Sequence, residues 1–269
     1  MLAVRNLKNM PETVQSIAIF FTIIYILFVI LLIFMRQRSR RLETLERNYV
    51  ANVTHSLKAP IASVRALTEA LIDVVPAESD KQQPYFGMIL KEVNTQSHMV
   101  QEILELSRLQ SGGADFSSER FSASEAFSET FDKYTTLCEF GQIHFEISEE
   151  IENLPDLFSN KKFIVEIMDI LLENAVKYVE DNDKGIQVSV RRENKKAIFC
   201  VYDAGSVIDS KDLPNVFNRF YSGKNSEGKD TTGLGLSIAK SICDSLHERI
   251  WLESSEGYGT SAYFTVSLA

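Results

Sequence analysis

Residues 231–242 read TTGLGLSIAKSI, with Gly233 and Gly235 set just before a run, Leu234–Leu246, whose apolar residues recur at helical spacing. Glycines at the start of a helix leave backbone N–H groups open to an anion, so Gly233, Leu234, Gly235 and Leu236 form a candidate cradle for phosphates. A lone Gly-Leu-Gly-Leu carries little information, and its meaning depends on what stands to either side.

Downstream, EGYGTSAYFTV (256–266) places a glycine turn between two β-patterned runs, Ile250–Glu253 and Ser261–Val266, with Thr260 at the second run's start. Upstream, VFNRFYSGKN (216–225) sets Phe217 and Phe220 around Arg219, with Lys224 following, so two basic groups stand beside the glycine stretch. Earlier still, VYDAGS (201–206) ends a β run with Asp203, and Gly205 permits close approach of a flat ring. LLENAVKY (171–178) sits in a long helical pattern from about Asn160 to Val179, where Asn174, Lys177 and Tyr178 share a face. An amide oxygen there suits Mg2+, an ammonium suits phosphate, and Glu173 is a candidate for polarising an attacking group. A helix over 124–139, a strand over Ile143–Ile147, and β runs Ile186–Val190 and Ala197–Tyr202 complete the region. Helices on one face of a mixed sheet are expected.

Ahead of this α/β region lie two helical patterns. The first carries Leu42, Leu45, Tyr49, Val53, Leu57, Ile61, Val64, Leu67, Leu71 and Val74; the second carries Phe86, Ile89, Val93, Val100, Ile103 and Leu106. The segment 75–84 supplies the polar and proline residues of a loop, and SGGADFSSE (111–119) ends the helical period. Two helices bury too little to be stable alone, so a homodimeric four-helix bundle is expected. His55 projects off the first stripe, and Pro60 inside the same helix marks a kink.

From Ile17 to Met35 the chain is apolar apart from Thr22 and Tyr25, a length that spans a bilayer core of roughly 30 Å. Arg36, Arg38, Arg40 and Arg41 follow it, against Arg5 and Lys8 before it, which places residues 36 onward in the cytoplasm of a single-pass cell-membrane protein. The run is too long for a signal peptide and lacks a cleavage site. About sixteen residues precede it, too few for a folded ligand-binding domain, so the stimulus is expected from the bilayer or a membrane sensory partner. A formal charge of −9 disfavours nucleic acid, and Cys138, Cys200 and Cys243, widely spaced in apolar runs, read as buried reduced thiols.

NVTHSLKAPIASV (52–64) resembles the H-box of sensor histidine kinases, with His55, Leu57, Lys58 and Pro60 on its pattern. The four downstream segments resemble that family's N-, G1-, F- and G2-boxes, followed by a G3-like stretch, in family order over roughly 45–269. The resemblance implies a dimerisation hairpin at 45–112 and a Bergerat-type ATP-binding domain at 113–269, after a short outer tail (1–16), a span (17–35) and a linker (36–44). It further implies that His55 takes the γ-phosphoryl group of Mg-ATP and passes it to an aspartate of a response regulator. Asp203 would receive the adenine amino group.

Ser56, Ala59, Ile170 and Val207 depart from the family pattern. Ser56 replaces the acidic residue that orients the imidazole, and Ala59 the group that positions a hydrolytic water, which implies a slow kinase without appreciable phosphatase activity. The same departures leave open a pseudokinase or ATP-binding scaffold of the same fold. A topoisomerase- or chaperone-type ATPase fits less well, given the hairpin and the membrane run. Neither a Walker A sequence nor the Ser/Thr/Tyr kinase set occurs.

Overall fold

The computed structural model describes residues 12–73, 82–110, 113–180, 185–223 and 231–269. Contacts divide the chain into two compact units, Met1–Lys58 and Ala59–Ala269. Helix α1 (Glu12–Asp73) runs unbroken through Pro60. Proline removes one backbone donor, and the expected kink does not end the helix. In the first unit, Ile19–Arg36 has a mean hydropathy of 2.7 and none of it is buried within the chain. That makes it long and apolar enough to cross a membrane.

In the second unit, α2 (Gln82–Gln110) begins inside the stretch expected to be loop. Pro84 occupies its first turn, where a missing N–H costs nothing. The rest of that loop, residues 74–81, lies outside the described residues. Ser63 Oγ donates to Glu92 Oε1 at 3.4 Å between α1 and α2. Of the expected stripe on α2, Leu106 is buried while Phe86, Val93 and Val100 are exposed, and Met99 and Leu109, outside that stripe, are buried too. The reason is tertiary, since α2 packs against the helix Gly235–Ser245.

The α/β region runs β1 (Glu119–Phe121), α3 (Ala123–Gly141), β2 (Phe145–Ile147), β3 (Leu157–Ser159), α4 (Lys161–Tyr178), β4 (Ile186–Glu193), β5 (Lys196–Asp203), α5 (Gly235–Ser245), β6 (Ile250–Ser255) and β7 (Gly259–Ser267). Five strands form one mixed sheet in the order β2-β4-β5-β7-β6, and β1 pairs with β3 separately. Only the β2–β4 pairing in the large sheet is parallel. Along strand β4, Ile186, Val188 and Val190 turn inward while Gln187, Ser189 and Arg191 face out, which defines the covered face. Helices α3, α4 and α5 cover the inner face, closing over Phe127, Tyr134, Phe199, Phe264, Met168 and Leu172. Phe199 stacks on Phe264 at 5.1 Å and meets Phe127 edge-on at 5.3 Å.

Helix α4 is set by its cap. Asn160 accepts from Phe163 N at 3.2 Å, and its Nδ2 donates to Asp115 O and Ser117 O, tying the incoming segment to the helix start. The thiols are free; Cys138 and Cys243 are buried, but Cys200 is only half-buried, because it sits on the outer face of the sheet.

Candidate nucleotide site

Inside the second unit one cavity of about 430 Å³ collects residues from α2, α4, β5, β7 and the start of α5. At one end stands Asp203, the last residue of β5, 8% exposed and in register with Thr260 of β7. Its Oδ1 accepts from Gly205 N at 3.1 Å. Gly205 forms a bridge to Val179 and lies so close to the end of α4 that a Cβ there would fall 2.0 Å from Tyr178 O. Only glycine fits. Gly205 itself does not line the cavity; Asp203, Ser206, Val207, Leu252 and Thr260 do. Val207 therefore fills wall space where a second glycine was expected. Thr260 is buried, with Oγ1 2.9 Å from Ser254 Oγ.

Along α4 the cavity meets Ile170, Glu173, Asn174, Lys177 and Tyr178. Lys177 Nζ is already held by Glu173 Oε1 at 2.6 Å, so the two residues expected to act separately form a pair. Ile170 has a Cγ2 3.4 Å from where a Gly235 Cβ would stand, so it packs against the start of α5.

The segments ending at Gly223 and starting at Thr231 meet by backbone. Phe220 N donates to Gly233 O at 2.8 Å, and Ser222 Oγ lies 3.1 Å from Thr231 Oγ1. Gly233 has φ +68° and a Cβ there would fall 2.7 Å from Phe220 C, so both conformation and space demand glycine. Leu234 is fully buried and caps α5, with its N–H donating to Thr232 Oγ1 at 3.2 Å; Gly233, Gly235 and Leu236 line the cavity. Arg219 is half-buried and does not line it, and Lys224 lies outside the described residues. His55, Ser56 and Lys58 are on α1; Lys58 is exposed, and the His55 and Ser56 side chains lie outside the description.

Sequence reasoning missed one wall. His98, Glu102 and Glu105 of α2 line the same cavity, facing Glu166, Asp169 and Glu173. His98 Nδ1 lies 3.8 Å from Glu102 Oε2. Burial raises the Glu102 carboxyl, against smaller opposing effects of the Thr232 hydrogen bond and of His98. Burial first, then the charge and hydrogen bond of Glu105, push Glu166 up to about 8. A signal existed: Glu102 falls three residues after Met99 and four before Leu106, a carboxylate on a buried stripe.

Among the described residues, two buried side-chain polar atoms have no hydrogen-bond partner, Glu102 Oε2 and Ser206 Oγ. Both residues line this cavity. Buried polar groups are almost always paired, so the wall fits a ligand that supplies the missing bonds. No group of three His, Cys, Asp or Glu among the described residues can hold a metal ion. Asn174 offers a single amide oxygen, which fits a magnesium ion carried mostly by nucleotide phosphates and water.

Residues 159–269 match the family described as histidine kinase-, DNA gyrase B-, and HSP90-like ATPase. Residues 45–112 match the His Kinase A (phospho-acceptor) domain. The chain belongs to the sensor histidine kinases of two-component systems. It is 28% identical over 235 residues to sensor histidine kinase WalK of Bacillus subtilis, covering 85% of this chain and 38% of that one. The chain thus spans well under half of that curated relative. Its fold is also that of histidine kinase ThkA, solved in complex with response regulator protein TrrA (TM-score 0.67, 21% identity, 87% of this chain and 65% of that one). ShkA, solved full-length in complex with AMPPNP, is similar too (TM-score 0.59, 16% identity, 81% and 46%).

Proposed function

We propose that this protein is a membrane-anchored, homodimeric kinase that phosphorylates its own His55 from Mg-ATP and hands the phosphoryl group to a response-regulator aspartate. The observation that carries the reading is one cavity that joins Asp203, Thr260 and Asn174 to Gly233 and Gly235. The AMPPNP bound by ShkA and the regulator bound by ThkA support the nucleotide and the partner. The apolar stretch Ile19–Arg36 supports the anchor, with the lipid bilayer as its surroundings and the kinase part cytoplasmic. Exposed Phe86, Val93, Val100 and Leu104 on α2, with Ile61 and Ile72 on α1, support burial against a second copy.

In this reading Asp203 accepts a hydrogen bond from the adenine amino group, with Thr260 beside it. The N–H groups around Gly233, Leu234, Gly235 and Leu236 face the phosphates. Asn174 would hold Mg2+, which supplies neutralisation of phosphate charge when bound. Lys177 turns from Glu173 to the phosphates, leaving the Glu173 carboxylate to take a proton; Tyr178 completes the polar rim. The neutral His55 imidazole, whose unperturbed pKa is about 6.5, attacks the γ-phosphorus. The bond to the β-bridging oxygen breaks, ADP leaves, and the ring proton passes to solvent or a carboxylate. Lys58 stands one turn along from His55 and screens the new negative charge. Ser56 brings no charge to orient the ring, so transfer is slow, and Ala59 offers no help to a hydrolytic water.

The test is incubation of the full chain in lipid nanodiscs with γ-labelled ATP. The expected label is acid-labile and alkali-stable, absent from His55→Gln and reduced by about 100-fold in Asn174→Ala. Label that persists in His55→Gln overturns the acceptor, and undiminished label in Asn174→Ala overturns the metal ligand.

A further inference from the structure

Ser206 lines the nucleotide site with a hydroxyl to which no other described residue there answers. Its backbone is fully engaged: the N–H donates to Tyr178 O at 3.3 Å, and the carbonyl accepts from Thr260 Oγ1 at 3.5 Å. Its hydroxyl is buried and has no partner among the described residues, although the residue lines the cavity. It stands three positions beyond Asp203, whose Oδ1 is turned to Gly205 N.

Given the adenine-nucleotide reading above, on which this rests, we infer that Ser206 determines base specificity. Its hydroxyl donates a hydrogen bond to one of the two ring nitrogens flanking the exocyclic amino group, N1 or N7. An ionised Asp203 is acceptor-only and satisfies the amino group, but it cannot satisfy a ring nitrogen, which needs a donor. A serine hydroxyl supplies that donor. Aspartate and serine side by side thus present acceptor and donor to the amino-plus-nitrogen edge of adenine. Guanine puts a carbonyl oxygen where the amino group stands, against the carboxylate. Discrimination of this kind is large, because a mismatched base leaves buried polar groups unpaired.

The experiment is a competition titration on the full chain in nanodiscs and on its Ser206→Ala variant, with ATP, 1-deaza-ATP and 7-deaza-ATP. The unmodified chain is expected to bind one of the two analogues about 3- to 10-fold more weakly than ATP. Ser206→Ala is expected to lose the same factor for ATP and to show no further loss with that analogue. Without nucleotide, the variant should melt no lower than the unmodified chain, since it removes an unpaired group. Equal binding of ATP and both analogues by the unmodified chain overturns the inference. So does a variant whose loss adds to the analogue's, or one that melts lower and binds ATP normally. If the unmodified chain binds no ATP, the nucleotide reading itself falls, and that result is distinct from all of these.

Discussion

At one end of the cavity Asp203, Gly205 and Thr260 are held by strand register and backbone hydrogen bonds; at the other, Glu102, Glu105, Glu166, Asp169 and Glu173 stand on two facing helices. The first end has little room to move, since Gly205 touches Tyr178 O and Asp203 is bound to Gly205. The second is governed by charge. Lys177 answers Glu173, Lys133 answers Asp169, and burial leaves Glu166 with a carboxyl that holds its proton. The Asp203 end thus depends on strand register and close backbone packing. The side where phosphates would lie depends on side chains whose ionisation and pairing can change.

The strongest challenge to that contrast is Gly205→Ala. The added methyl must displace the end of α4, at a cost of about 3 kcal/mol in urea unfolding, together with loss of measurable ATP binding. Unchanged ATP affinity in this variant would mean the base end is as adaptable as the acidic one.

A middle-sized effect should come from Glu166→Gln. This carboxyl ordinarily titrates near 4.5 and is pushed up to about 8. The folded chain keeps a proton that the unfolded chain releases, so its stabilising contribution is complete below about pH 4.5 and is lost as pH rises through about 8. Glu166→Gln should therefore match the unmodified melting temperature near pH 4.5 and exceed it by about 4 °C at pH 8.5. Parallel melting curves across that window would break the assignment of charge strain to this wall.

Lys177→Ala should move stability least, by less than about 1 kcal/mol, because both partners are about a third exposed and solvent screens them. Its ATP affinity should nonetheless fall by roughly 3- to 10-fold in a fluorescence titration. A larger stability loss with intact binding would make the pair structural.

The same contrast explains what was legible in the sequence. Asp203, Gly205, Gly233 and Asn174 sit in short strings whose local chemistry is visible without the fold. Strands β4 and β5 and helix α4 show their periods plainly, and Asn160 announces the start of α4. Strands β1 and β3 are three residues each, too short for a period to register, and they exist because each pairs with the other. The acidic wall was invisible for a different reason. Glu102 and Glu166 are 64 positions apart by their numbers and meet only because α2 lies against the domain. The burial of Met99 and Leu109, outside the expected stripe of α2, has the same origin. The Glu173–Lys177 pair was foreseeable from its i, i+4 spacing but was read as two separate roles.

Strand β7 lies between β5 and β6, although it comes last in the described order. During synthesis, at about 5–20 residues per second, α3, α4 and β5 emerge well before the strand that must pair with the far edge of β5. Until then β5 presents an unpaired edge, with Phe199 lacking the Phe264 ring it stacks on and Asp203 lacking Thr260 beside it. A nascent chain stalled between Asp203 and Gly259 therefore carries an exposed edge strand, open to pairing with a neighbour's β5 on the same polysome.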